Sequence, residues 1–126
     1  MPIRDGAQAP FPLPFNIQGL NSMWIFTRSS FLSIINDPDD PDCLTVRARH
    51  RGDIERLWPD YIAFVTPGRD YKYRCVIPRR EVTQALLSEV SKIDYANFKD
   101  SVSEPRRAFW YCGVWRETSE RCPERT

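Results

Sequence analysis

Several features that would announce a chemistry are scarce or missing here. There is one histidine, His50, and none of the four cysteines (Cys43, Cys75, Cys112, Cys122) forms a C-x-x-C pair. A closed zinc site needs four such ligands at workable spacing, so no metal and no cofactor is expected. With five glycines, the chain has no glycine-rich phosphate cradle. Charge of one sign is also lacking: 18 Lys and Arg against 17 Asp and Glu leave a formal +1. No global field recruits nucleic acid or membrane, and any electrostatic preference must be local. No run approaches the roughly 18 apolar residues of a membrane span, and the N-terminus has no apolar stretch of signal length. The scattered cysteines therefore read as reduced thiols in a cytoplasmic protein.

What is present is an ordinary globular balance: 126 residues, 41% hydrophobic and 28% charged. That suits one domain with one core. Residues 1–22 differ from the rest, holding Pro2, Pro10, Pro12 and Pro14 with only Arg4 and Asp5 as charges. Such a segment cannot continue a helix or a central strand, so it is expected to be an extended arm. The domain is expected over 23–116, followed by a polar tail over 117–126.

From Met23 the pattern is β-rich. Trp24–Thr27 and Phe31–Ile35 are apolar runs around an Arg28-Ser29-Ser30 turn. After the acidic loop at 37–42, Leu44, Val46 and Ala48 alternate with Thr45, Arg47 and Arg49, which predicts a half-buried strand with a basic outer face. Asp53 is expected to cap a short helix through Ile54, Leu57 and Trp58. Residues 61–66 and 71–77 flank the hairpin loop 67–70. In the second of these strands, Tyr71, Tyr73, Cys75 and Ile77 share one face; Lys72, Arg74 and Val76 share the other. After Pro78, Val82, Leu86, Val90 and Ile93 predict an amphipathic helix. A last helix is expected from about Ser103 as N-cap, packing through Phe109, Trp110, Val114 and Trp115. The order β-β-β-α-β-β-α-α predicts an α+β fold: an antiparallel sheet of about five strands with helices on one face, partly ferredoxin-like.

Four motifs occur in order along this run: Met23-Trp24-Ile25-Phe26-Thr27, Val46-Arg47-Ala48-Arg49, Tyr71-Lys72-Tyr73-Arg74 and Ile93-Asp94-Tyr95-Ala96-Asn97-Phe98-Lys99. On them, residues 23–115 resemble a family of short uncharacterised bacterial and phage proteins. The resemblance implies a cytoplasmic bacterial or phage origin and a natural start near Met23. It brings no activity with it.

Two groups stand out as candidate sites. Arg47, Arg49, Arg51, Lys72 and Arg74, with His50, would form a basic sheet face able to take phosphates or carboxylates, with a solvated face as the plain alternative. Asp94, Tyr95, Asn97 and Lys99 put a carboxylate, phenol, amide and ammonium into one connection, where helix capping is the plain alternative. The acidic loop invites calcium, but Pro38 and Pro41 interrupt it and the EF-hand glycine and distal glutamate are missing. Arg51-Gly52-Asp53 reads as a strand-to-helix turn. The expectation is a non-catalytic module that engages a protein partner. A small phage- or mobile-element-encoded inhibitor, anti-CRISPR proteins included, fits that description in class and not in motif. The alternatives are a single-stranded nucleic-acid binder using the basic face, and a small enzyme acting through Asp94, Tyr95 and Lys99 or through His50 with a cysteine.

Overall fold

A computed structural model describes residues 22–120; the proline-rich arm except Ser22, which opens the first strand, and the last six residues lie outside that range. Its elements are β1 (Ser22–Phe26), β2 (Phe31–Asn36), β3 (Cys43–Ala48), β4 (Phe64–Val65), β5 (Tyr73–Pro78), α1 (Arg79–Ser91), α2 (Phe98–Ser101) and α3 (Pro105–Glu120). The strands form one antiparallel sheet in the order β1-β2-β3-β5-β4, so the α+β expectation with five strands holds. Among the described residues no helix lies between two strands, and the ferredoxin-like pattern of crossover helices is not reproduced. The chain leaves β1 through a tight turn. There the Thr27 hydroxyl accepts from the backbone N–H groups of Ser29 and Ser30, and the Thr27 N–H donates to the Ser30 carbonyl.

Register assigns the two faces. Leu32, Ile34, Val46, Ala48, Tyr73, Cys75 and Ile77 line one side and pack with Ile54, Trp58 and Val82 into the main core. Leu32, Val46 and Ile77 are fully buried, each contributing about 1.5–3 kcal/mol by leaving water. Helix α1 lies on this side, but only its first half packs: Val82 is buried, whereas Leu87, Val90 and Ile93 are exposed. The expected stripe thus stops after Leu86, which packs with Ala85 against the core.

A second cluster sits on the opposite side at the β1–β2 turn, where Phe31, Tyr71, Val102 and Tyr111 gather with Phe26, Phe98 and Ala108. Helices therefore occupy both sides of the sheet, not one as expected. Tyr71 is also a correction. It precedes β5 instead of belonging to it, so strand alternation does not bind it to Tyr73, and its ring joins the other side.

The short helix expected after Gly52 is a run of turns. Asp53 is not its cap. It is fully buried, accepts from the Phe31 N–H and pairs with Arg107 at 2.7 Å and Arg56 at 2.6 Å. Arg107 in turn donates to the Tyr111 hydroxyl, which donates to the Ser30 carbonyl. This polar chain docks α3. Glu104, not Ser103, caps that helix, its carboxylate accepting from the N–H groups of Arg106 and Arg107. The helix turns Arg107 and Tyr111 inward and leaves Phe109, Trp110, Val114 and Trp115 exposed, the reverse of the expected face. It also continues through 117–120, which were expected to be tail.

Candidate anion-binding sheet face

The side of the sheet opposite α1 carries a row of side chains that crosses all five strands. Successive register pairs are Trp24 with Ser33, Ser33 with Arg47, Arg47 with Arg74, and Arg74 with Phe64. Because register partners in an antiparallel ladder share a face, all five side chains project to the same side. The row thus reads aromatic, hydroxyl, guanidinium, guanidinium, aromatic. Trp24 at one end is 62% exposed and Phe64 at the other is 51% exposed. The neighbouring row, Ser22, Ile35, Thr45 and Val76, sets two hydroxyl and two aliphatic side chains beside it.

The two arginines are half-buried and oriented by their surroundings. Arg47 donates from Nη2 to the Ser33 hydroxyl at 2.6 Å and lies 4.7 Å above the Tyr71 ring centroid. Its Nε is buried with no hydrogen-bond partner among the described residues. Arg74 donates from Nε to the Tyr71 carbonyl at 3.0 Å. Burial, with help from the guanidiniums of Arg47 and Arg69, pushes Arg74 below its ordinary pKa, though an arginine remains charged. Among the described residues, neither Arg47 nor Arg74 has an ion pair with a carboxylate. Like charges opposite each other in a ladder destabilise it. A buried donor left without an acceptor adds to that cost.

The rest of the expected basic cluster does not join the pair. Arg49 grips Asp70 with both Nε and Nη2 at 2.8 and 2.9 Å, and this bond is the main cause that lowers the Asp70 pKa. Its charge is already answered, and its guanidinium stacks 4.5 Å from the Tyr71 centroid. Arg51 sits on the turn that follows β3 and reaches the Tyr73 ring, on the α1 side. Lys72 is exposed in the connection before β5, 5.5 Å from the same ring. His50 stacks flat on Trp110 at 4.2 Å, and burial lowers its pKa.

The second expected group is divided among separate partners. Asp94 accepts from Arg28 at 2.8 Å, and Arg28 also covers the Tyr95 ring. Asn97 caps α2 by accepting from the Asp100 N–H, and Lys99 lies 3.8 Å over Trp115. The structure does not bring Asp94 and Lys99 into contact with each other. Asn97, Phe98 and Lys99 instead border an open groove of about 560 Å³ with Phe26, Tyr111 and Trp115. The acidic loop is tied up internally: Asp37 accepts from Thr45, and Asp40 from the Asp42 N–H. No group of three or more His, Cys, Asp or Glu among the described residues is placed to hold a metal ion. Among the same residues, no helix is long and apolar enough to cross a membrane.

Sequence reading missed Trp24, Ser33 and Phe64 as members of the site. Alternation gives each strand's faces, but only the pairing register aligns residues from five strands into one row. The chain matches no family model, no curated protein and no solved structure.

Proposed function

We propose that this protein is a non-catalytic binding module that recognises an anionic partner through the sheet face opposite α1. The observation that carries the reading is the Arg47–Arg74 pair. Two guanidiniums stand opposite each other in adjacent strands, one with a buried unpartnered Nε and neither with a carboxylate among the described residues. Paired guanidiniums match the planar oxygens of carboxylate or phosphate, and a bound anion would relieve the repulsion between them. An inhibitor encoded by a phage or mobile element would meet such an anion as a host protein surface rich in Asp and Glu.

Thermal denaturation of the full chain with inorganic polyphosphate and with poly-glutamate tests the reading. A ligand that binds only the folded state raises the midpoint, by about 2.7 kcal/mol of stability at a hundredfold excess over Kd. The rise should appear with at least one polyanion and vanish in Arg47→Glu/Arg74→Glu. An unmoved midpoint with both polymers would count against it.

A further inference from the structure

We infer that the occupant of this face is a single strand of nucleic acid laid across the β-strands, its bases stacked on Trp24 and Phe64 and its phosphates held between them by Arg47 and Arg74. The inference rests on the anion-binding reading and adds the ligand's chemical class to it. Four inter-strand steps separate Trp24 from Phe64, a span of about 19 Å at roughly 4.8 Å per step. A nucleic-acid strand alternates flat rings with one negative charge per nucleotide. The row offers the complement: a ring at each end and two positive charges in the middle.

Each part of the row has a role. Trp24 and Phe64 are the exposed members, so each has a ring face free for a base. Arg47 and Arg74 are the buffered members, held by Ser33 and by the Tyr71 carbonyl, so their positions are set before a phosphate arrives. A footprint of about four nucleotides is the small end of what one single-strand-binding domain covers. A double helix keeps its bases stacked on one another, which leaves the two aromatic rings nothing to meet. An acidic protein surface would satisfy the arginines but has no reason to place flat groups at both ends. Charge and ring spacing together therefore favour the single strand.

Fluorescence anisotropy on the full chain tests this, using labelled 12-mers of oligo-dT and oligo-U, a DNA duplex of mixed sequence, and poly-glutamate. At least one single strand should bind saturably and more tightly than the duplex. The better of the two separates DNA from RNA as the source. Trp24→Ala, at an exposed position, should weaken binding by about 5- to 150-fold, the effect of losing one base–aromatic stack, and Trp24→Phe should restore much of it. Arg47→Gln/Arg74→Gln should lower the slope of log K against log salt by about 1.4, the value for two phosphates on a single strand. Circular dichroism on each variant confirms the fold. Single-strand binding that is indifferent to both Trp24→Ala and Phe64→Ala would overturn the inference. Binding of poly-glutamate but of neither strand, lost in the arginine variant, would overturn it while leaving the anion-binding reading intact. Binding of no polymer would remove both.

Discussion

Arg47 and Arg74 face each other across the β3–β5 ladder, and Arg47 keeps a buried Nε that no acceptor among the described residues reaches. A sheet selected for stability alone would not place two positive charges there. Arg47→Met keeps the apolar stem over Tyr71 while removing the charge and the orphaned donor. Urea denaturation should show a gain of up to about 1 kcal/mol, the scale of a like-charge pair relieved across strands. Polyanion binding should fall in the same variant. A loss of stability would mean that Arg47 is held in place for structural reasons.

The buried partnership of Asp53 with Arg107 should be the most sensitive point of the fold. Asp53→Ala leaves the Arg107 guanidinium without its carboxylate and the Phe31 N–H without an acceptor. The expected loss is about 3–5 kcal/mol, which is a large part of a small domain's stability. Asp53→Ala/Arg107→Met should recover a good part of it, because no uncompensated charge then remains inside. Chemical denaturation of both single variants and the double variant reads the coupling directly. A single-variant loss below about 1 kcal/mol would show that the pair is not the dock for α3.

Acid should loosen the same region through His50. Burial against Trp110 holds its pKa below the ordinary value. Asp53 and Glu104 pull it up, and Arg107 and Arg49 reinforce the lowering. The unfolded chain therefore takes up the proton first as pH falls. The stability that the neutral ring contributes is complete above about pH 6.5 and is lost as the pH drops through the lower folded-state value. The melting temperature should fall between pH 7 and pH 5, and more shallowly in His50→Phe, which keeps the ring stack without the titration. Equal slopes for the two proteins would assign the acid sensitivity elsewhere.

Two glycines should respond in opposite directions to the same change. Gly52 has φ +92 in the turn after β3, a conformation that disfavours a side chain. Gly52→Ala should cost about 1–2 kcal/mol. Gly113 lies within α3, where an added Cβ would have nothing within 4 Å. Gly113→Ala should stabilise by about 0.5–1 kcal/mol by reducing the freedom of the unfolded chain. Thermal melts of both variants check the pair.

The faces of β3 were legible because alternation is a local signal, whereas Tyr71 fell outside β5 and the strand expected over 61–66 shrank to Phe64–Val65. Leu44, Val46 and Ala48 against Thr45 and Arg47 sort correctly with no knowledge of their neighbours. The turn at 28–30 was legible for the same reason. Helix faces were less so. In α3 the aromatics Phe109, Trp110 and Trp115 dominate the apolar count, yet the docked face is set by the Asp53 carboxylate 54 residues away, which draws in Arg107 and with it Tyr111. The candidate site was half legible. Arg47 and Arg74 stand out as basic residues on strand faces, but nothing local separates them from Arg49, whose charge Asp70 answers from 21 residues away. Trp24 and Phe64 reach the site only through the pairing of β1 with β2 and of β4 with β5, a long-range fact that no local pattern contains.

The Asp53–Arg107 dock also imposes an order on synthesis. The turn carrying Asp53 leaves the ribosome well before Arg107, which follows 54 residues later, a delay of about 3–11 seconds at ordinary elongation rates. During that interval the β-strands are present while a carboxylate destined for burial has, among the described residues, only the exposed Arg56 as a counter-ion. A nascent chain arrested before residue 107 should remain sensitive to protease, and one arrested far enough beyond Tyr111 for α3 to emerge should be resistant. Helix α3 is therefore the one that commits the earlier turn to the interior.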